Sequence, residues 1–384
     1  MTKNITYILG AGASANALPV INEIDSRLET YKGLLYSFIQ QKQRNPVTND
    51  LNPASHQLLE RLNWLIDNTK NHLTVDTFAR KLFAKNSTHN DLRSLKRVLS
   101  TFFLYEQIKI EQNAHIRTDE FGVIQFKQTP DKRYDGLISS IISDTINDNA
   151  LLGNIKILSW NYDSQFEQSY KEFWDFSSIH ETHSALQVVP GKWIVEKGDN
   201  QEIDFTKFSL IHLNGIAGFK SIVEKPSKTL IDKYQNKIPT TDELLTDLIL
   251  FFDEISNIEN HTPSNEEATL FFNYAWESKV TNHEFLSPLA NTAVYNAEKI
   301  AELTEILVVI GYTFPLFNRT IDKALISKMN RLTKVYIQDK YPASIQNTMQ
   351  NAFERLQEPF HKDKFRVDFS LSDSLNQFIL PFET

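Results

Sequence analysis

Short apolar runs that stop at a glycine or a polar cluster, each followed by an amphipathic stretch, recur along the chain and predict strands leading into helices. The first is Ile5 to Leu9, ending in GAGAS. The second, Ile155 to Trp160, ends in Asn161, Tyr162 and Asp163, and the third, Ser209 to Leu213, ends in Asn214 and Gly215. The fourth, Ile306 to Ile310, runs into GYTFPLFNRTID, and the fifth, Lys334 to Gln338, ends in Asp339. Strands apolar throughout are buried on both faces, and here they alternate with helices. The pattern predicts an α/β fold, a Rossmann-like parallel sheet with helices on both faces. Such sheets bind ligands at the carboxyl ends of their strands, where these polar clusters fall. Asn161, Asp163, His212, the first glycine loop and the Gly311 loop would share one crevice.

Between the first two strands lies an insert of roughly 120 residues, too long for an unstructured loop in a compact domain. Within them NPASHQLLERLNWLIDN and TVDTFARKLFAK carry apolar residues at helical spacing, with Thr74 or Asp76 placed to cap the second helix. Residues 30–146 are expected to form a largely helical inserted domain. A second insert, 219–299, contains TTDELLTDLILFFDEISNIEN, an acidic amphipathic helix that Thr241 or Asp242 could cap. Residues 1–29 and 147–342 then form the sheet domain, and 343–384 supply a C-terminal helix and an apolar tail, LNQFILPF, packing on it.

Composition narrows the chemistry. None of the 384 residues is cysteine, so disulfides, thiolate metal sites and cysteine nucleophiles are excluded. A net charge of -8 with scattered basic residues offers little attraction to a phosphate backbone, and no direct nucleic-acid partner is expected. No apolar run approaches the roughly 18 to 20 residues of a membrane span, and no basic segment leads into an apolar signal region, so the expected address is the cytoplasm.

Gly10 and Gly12 permit a tight turn and close backbone approach; the amides opening the next helix would face a pyrophosphate, and Ser14 could add a hydroxyl. The same residues also suit a plain strand-to-helix turn. The G-x-G-x-x-G fingerprint is incomplete, with Ala15 third, and no acidic residue ends a second strand about 20 residues on, which disfavours hydride transfer. The phosphate loop G-x-x-x-x-G-K-[ST] and the serine elbow G-x-S-x-G are both absent.

Asn161 and Asp163 either cap the following helix or face a ligand, Asn161 holding sugar hydroxyls or a water while Asp163 fixes the amide. His212 is either a satisfied core histidine or a general base. Thr313, Asn318 and Arg319 are candidate phosphate or ribose contacts; the alternative is an exposed loop in which Pro315 starts a helix and Asp322 pairs with Arg319. His180 and His183 lack the further partners that a zinc site needs.

In order, GAGAS, SWNYD, IHLNG and VVIGYTFP resemble the motif set of the sirtuin (silent information regulator) superfamily: a GAG[IA]S loop, an N-x-D motif, an H-x-G motif and a late strand ending in G-[TY]-[ST]. The resemblance covers the sheet and leaves out both inserts. It implies that Gly10, Ala11, Gly12 and Ser14 bind the NAD pyrophosphate, that Asn161, Asp163 and His212 surround the nicotinamide ribose, and that Gly311 and Thr313 hold the phosphates or adenosine ribose. Asp339 falls where the family meets the adenosine half. Asn214 makes the third motif slightly irregular. The four-cysteine zinc module of protein-deacylating sirtuins has no counterpart here, and LPVINEID stands in place of their Asp-Phe-Arg triplet, which puts acyl-lysine chemistry in doubt.

What remains resembles the sirtuin-like NAD hydrolases of bacterial antiphage systems, as does HLTVDTFARKLF in the first insert. That resemblance implies NAD+ as substrate, nicotinamide and ADP-ribose as products, and no zinc or further cofactor. It also implies a homo-oligomer, with a HerA-like ATPase or other sensor protein as a candidate partner. His212, neutral near an ordinary pKa of about 6.5, would accept the proton of the attacking water. An NAD-dependent protein deacylase and a non-catalytic NAD or ADP-ribose sensor are the alternatives.

Overall fold

In the computed structural model, which describes residues 2–43, 52–85, 89–109, 116–118, 124–126, 130–143, 150–174, 176–191, 202–221, 229–235, 237–258, 269–278, 287–357 and 367–384, the apolar runs become neighbouring strands. The strands are β1 (Ile5–Leu9), β2 (Ile155–Ser159), β3 (Val188–Val189), β4 (Ser209–His212), β5 (Ile306–Ile310), β6 (Lys334–Gln338) and β7 (Asp368–Ser372). They form one all-parallel sheet in the order β7-β6-β5-β1-β2-β4-β3. β1, β2 and β5 are buried at every position, as strands covered on both faces must be, whereas the edge strand β7 is partly exposed along its length. The fold is α/β and Rossmann-like, with helices flanking the sheet.

From β1 the chain moves to one side through β2 to β4 and β3, then returns to the other side with β5. The direction of winding therefore reverses between β1 and β5, and the crevice outside their carboxyl ends is where such sheets place ligands. Register levels the ends: Leu9 lies opposite both Ser159 and Ile310, Ser159 opposite His212, and Ile310 opposite Gln338. The residues after each strand thus emerge side by side.

Residues group into two compact units, Met1–Ala17, Pro130–Ile216 and Asn273–Thr384 in one, Leu18–Thr129 and Ala217–Phe272 in the other. The first is the sheet with its helices. Among these are Lys132–Ser140, Gln165–Lys171, Ile179–Ala185, Pro288–Leu303, Arg319–Lys328 and Pro342–Ala352. Proline opens two of them, where its missing N–H would have had no intrahelical partner.

The second unit is mainly helical, with Ile24–Gln43, Asn52–Thr69, Val75–Ala84, His89–Ile108 and Thr241–Ile258 its longer helices. Thr74 caps the third by accepting the Thr77 N–H at 3.1 Å. The cap of Thr241–Ile258 is Thr240, one residue before the pair expected: its hydroxyl accepts the Glu243 N–H at 3.2 Å while Glu243 accepts the Thr240 N–H at 3.0 Å.

Boundaries differ from the expectation in four places, the first being residues 18–29, which group with the helical unit and not with the sheet. Residues 130–143 belong to the sheet unit, because Arg133 and Tyr134 bond to the loop after β1. The second insert divides, 219–272 joining the helical unit and 273–299 the sheet; a strand that begins before it, Gly215–Ser221, pairs with Thr269–Phe272 inside it. The C-terminal segment supplies β7 as well as a helix and tail; the tail is tied on by the Tyr7 hydroxyl, which donates to Ile379 O at 2.9 Å.

Candidate active site

Backbone meets backbone where β1 and β5 end. The Gly10 N–H donates to Ile310 O at 3.0 Å and the Gly12 N–H to Gly311 O at 3.2 Å. A Cβ on Gly10 would lie 2.4 Å from Gly311 O, and one on Gly311, whose φ is +60°, would lie 2.4 Å from the Gly12 Cα. These glycines are therefore required by the interlock of two loops, whatever else the loop contacts. Ala11–Ala13 forms a single 3-10 turn, clamped from below by Arg133, whose Nη2 donates to Gly12 O (3.2 Å) and Ala13 O (3.1 Å). Asp131 holds that guanidinium through Nε at 2.9 Å, and the Asp131 N–H donates to Gln165 Oε1 at 2.8 Å.

Ser14 is the hub of the next layer. Its buried hydroxyl lies 3.2 Å from Asn161 Nδ2, which donates to it, and 3.1 Å from the Tyr134 hydroxyl. Asn161 in turn donates its backbone N–H to Ser159 Oγ at 3.1 Å, and Asp163 Oδ1 accepts the Gln165 N–H at 3.0 Å, covering a free amide at the start of the next helix. His212, the last residue of β4, presents Nδ1 to Asn161 O at 3.4 Å and Nε2 to Glu167 Oε1 at 2.9 Å. Glu167 is fully buried, and its Oε1 also lies 3.7 Å from His183 Nε2.

Burial pushes the Asp163 carboxyl up to about 6; the Gln165 amide, the Ser14 hydroxyl and the His212 charge pull against it, and the Glu167 charge adds to it. For His212 burial acts downward, yet the charge and hydrogen bond of Glu167, the Asp163 charge and the Asn161 carbonyl outweigh it and hold the imidazole above its ordinary value. His183 is held well below, by burial first and then by the charges of His180 and His212. Both of its ring nitrogens face oxygens that only accept, an arrangement that favours the charged form, because an imidazolium alone can donate to both.

The sequence-predicted residues thus separate into groups. Ser14, Asn161, Asp163 and His212 form one hydrogen-bonded cluster, and Gly10, Gly12 and Gly311 form the interlock beside it. Ala11 is half-buried and Thr313 exposed on the loops. Asn318 is turned inward instead: its amide donates to the Tyr312 hydroxyl at 3.2 Å, and that hydroxyl donates to the buried Asp322 at 3.0 Å. Tyr312 also stacks on Trp160, with ring centres 5.4 Å apart. Asp339, half-buried, accepts the Tyr341 N–H at 2.9 Å and so stabilises its own turn. A cavity of about 540 Å³, lined by Lys340, Tyr341, Leu371 and Asp373 among others, lies at the β6 and β7 side of the sheet rather than over His212.

Glu167, Tyr134, Arg133 and Asp131 were not picked out from sequence. A signal existed for Glu167, four residues after Asp163 and three before the buried Tyr170, and so on the inward stripe of its helix. The other three lay within the stretch assigned to the helical insert.

No protein-family model matches the chain, and no curated protein matches it in sequence.

Proposed function

We propose that this chain is a sirtuin-like NAD+ glycohydrolase, cleaving NAD+ to nicotinamide and ADP-ribose. The observation that carries the reading is the unbroken hydrogen-bonded path from the β1 loop through Ser14 to Asn161 and on to His212, at the carboxyl ends of three adjacent strands. An amide and an imidazole supported in this way can flank one sugar carbon. Nicotinamide in NAD+ is already a cationic leaving group, so the bond needs little acid assistance and leaves an oxocarbenium-like ribosyl centre. What the protein must supply is a placed water, a proton acceptor and negative charge nearby; Asn161, His212 and the Glu167 and Asp163 carboxylates are the groups for these tasks.

Nicotinamide release from NAD+ by the purified protein, alone and with the product of a neighbouring gene, tests the reading. Wild type should release it, and Asn161→Ala and His212→Ala should each lower the rate on the order of a hundredfold or more. Equal rates in all three proteins would remove Asn161 and His212 from the chemistry.

One observation favours a resting state in this conformation: the Asn161 amide nitrogen and both His212 nitrogens are engaged by the protein itself. That suits an antiphage NADase, which must stay silent until triggered, with activation through homo-oligomerisation or a HerA-like ATPase partner. It equally suits a non-catalytic sensor, which would bind ADP-ribose without releasing nicotinamide from NAD+.

A further inference from the structure

Glu167 stands out because it is fully buried, carries no role in the fold's capping or ladder bonds, and lies between two imidazoles. Its Oε1 is 2.9 Å from His212 Nε2 and 3.7 Å from His183 Nε2, while its Oε2 has no hydrogen-bond partner among the described residues. A buried carboxylate without a cationic partner is costly, and the partner within hydrogen-bond distance is His212. Facing His212 are Asp163 from the loop after β2, Glu167 from the helix Gln165–Lys171, and His183 from the helix Ile179–Ala185, with His180 beyond it.

We propose that Glu167 is a positioning residue for the hydrolysis of NAD+: its carboxylate grips His212 by Nε2 and keeps a proton on Nδ1, so that the imidazole becomes a base only when that proton leaves. This rests on the glycohydrolase reading. With the Nδ1 proton gone, the Nδ1 lone pair faces the Asn161 carbonyl oxygen, two acceptors that repel, and the contact opens. The ring keeps its Nε2–H on Glu167 and offers Nδ1 to a water at C1′ of the ribose. The C1′–N bond then breaks with its electron pair passing to nicotinamide, which becomes neutral; the water oxygen bonds to C1′, and a water proton passes to Nδ1.

The test pairs a direct view of the ring with the activity profile. Nitrogen NMR of protein labelled at histidine, with His212 assigned from its absence in His212→Gln, should find both ring nitrogens protonated in wild type at pH 7. In Glu167→Gln the His212 titration should move to lower pH, and the acid limb of nicotinamide release should move with it by about one pH unit, the scale on which a neighbouring opposite charge acts. A neutral His212 in wild type at pH 7 would overturn the proposal, and so would a titration and acid limb left in place by Glu167→Gln. If that variant fails to fold, the wild-type spectrum decides alone. If wild type releases no nicotinamide at any pH, the glycohydrolase reading falls, while the spectra still report whether Glu167 holds the proton on His212.

Discussion

Asp163 answers both readings that the residue type allows. It caps the helix, accepting the Gln165 N–H, and it also stands within the cluster of Ser14 and His212. The two roles pull apart with pH. An unfolded aspartate titrates near 3.9, while the folded carboxyl is pushed up to about 6 by burial. Because the folded value is the higher, the favourable contribution of the protonated form is complete below about pH 3.9 and is lost as pH rises through 6. Above that the buried charge destabilises the protein. Asp163→Asn keeps the capping oxygen and removes the charge, so it should be more stable than wild type at pH 8, on the order of 2 kcal/mol, and nearly equal to it at pH 4. Urea unfolding at the two pH values checks this, and a less stable variant at pH 8 would show that the charge is compensated. His212 is similarly directed: held above its ordinary value, it stabilises the fold at low pH and loses that contribution as pH rises through its folded value.

At the level of elements, the loops after β1 and β5 behave as one interlocked piece. Glycine in GAGAS suggested close approach to a ligand, but the nearest approach is to Gly311, whose backbone is left-handed at φ +60°. Gly311→Ala should therefore be destabilising by about 1–3 kcal/mol from the left-handed backbone alone, with more from the Cβ against Gly12. The fall in the midpoint of thermal unfolding measures it; an unchanged midpoint would mean that the loops can part freely. The Arg133–Asp131 pair braces the same turn from the helix Lys132–Ser140. Strands were legible where a run was mainly apolar or β-branched: β1, β5 and β6 fall on their expected bounds, and β2 and β4 end one residue early. β3, two residues long, and β7, polar at alternate positions on a sheet edge, lack that signature.

For the whole molecule, the chain carries its sheet and its helical unit as two interleaved sets of segments, and among the described residues no helix is long and apolar enough to cross a membrane. A site assembled from strand ends separated by most of the sequence should couple ligand binding to global stability. ADP-ribose, the proposed product and so not consumed, should raise the unfolding free energy by about 2.7 kcal/mol at a hundred times its Kd. A urea midpoint that ignores both ADP-ribose and NAD+ would argue against an NAD pocket.

The apolar runs by themselves determined a parallel α/β sheet and put Gly10, Asn161, His212 and Gly311 at or just past strand ends, because burial on both faces leaves a one-dimensional mark that survives without any partner. Tertiary structure alone decided how those ends interact. That Glu167 reaches His212, that Asn318 turns inward, and that residues from 130 onward join the sheet depend on which segments pack side by side. Such pairings are set by contacts between residues far apart in the chain, and no local pattern encodes them.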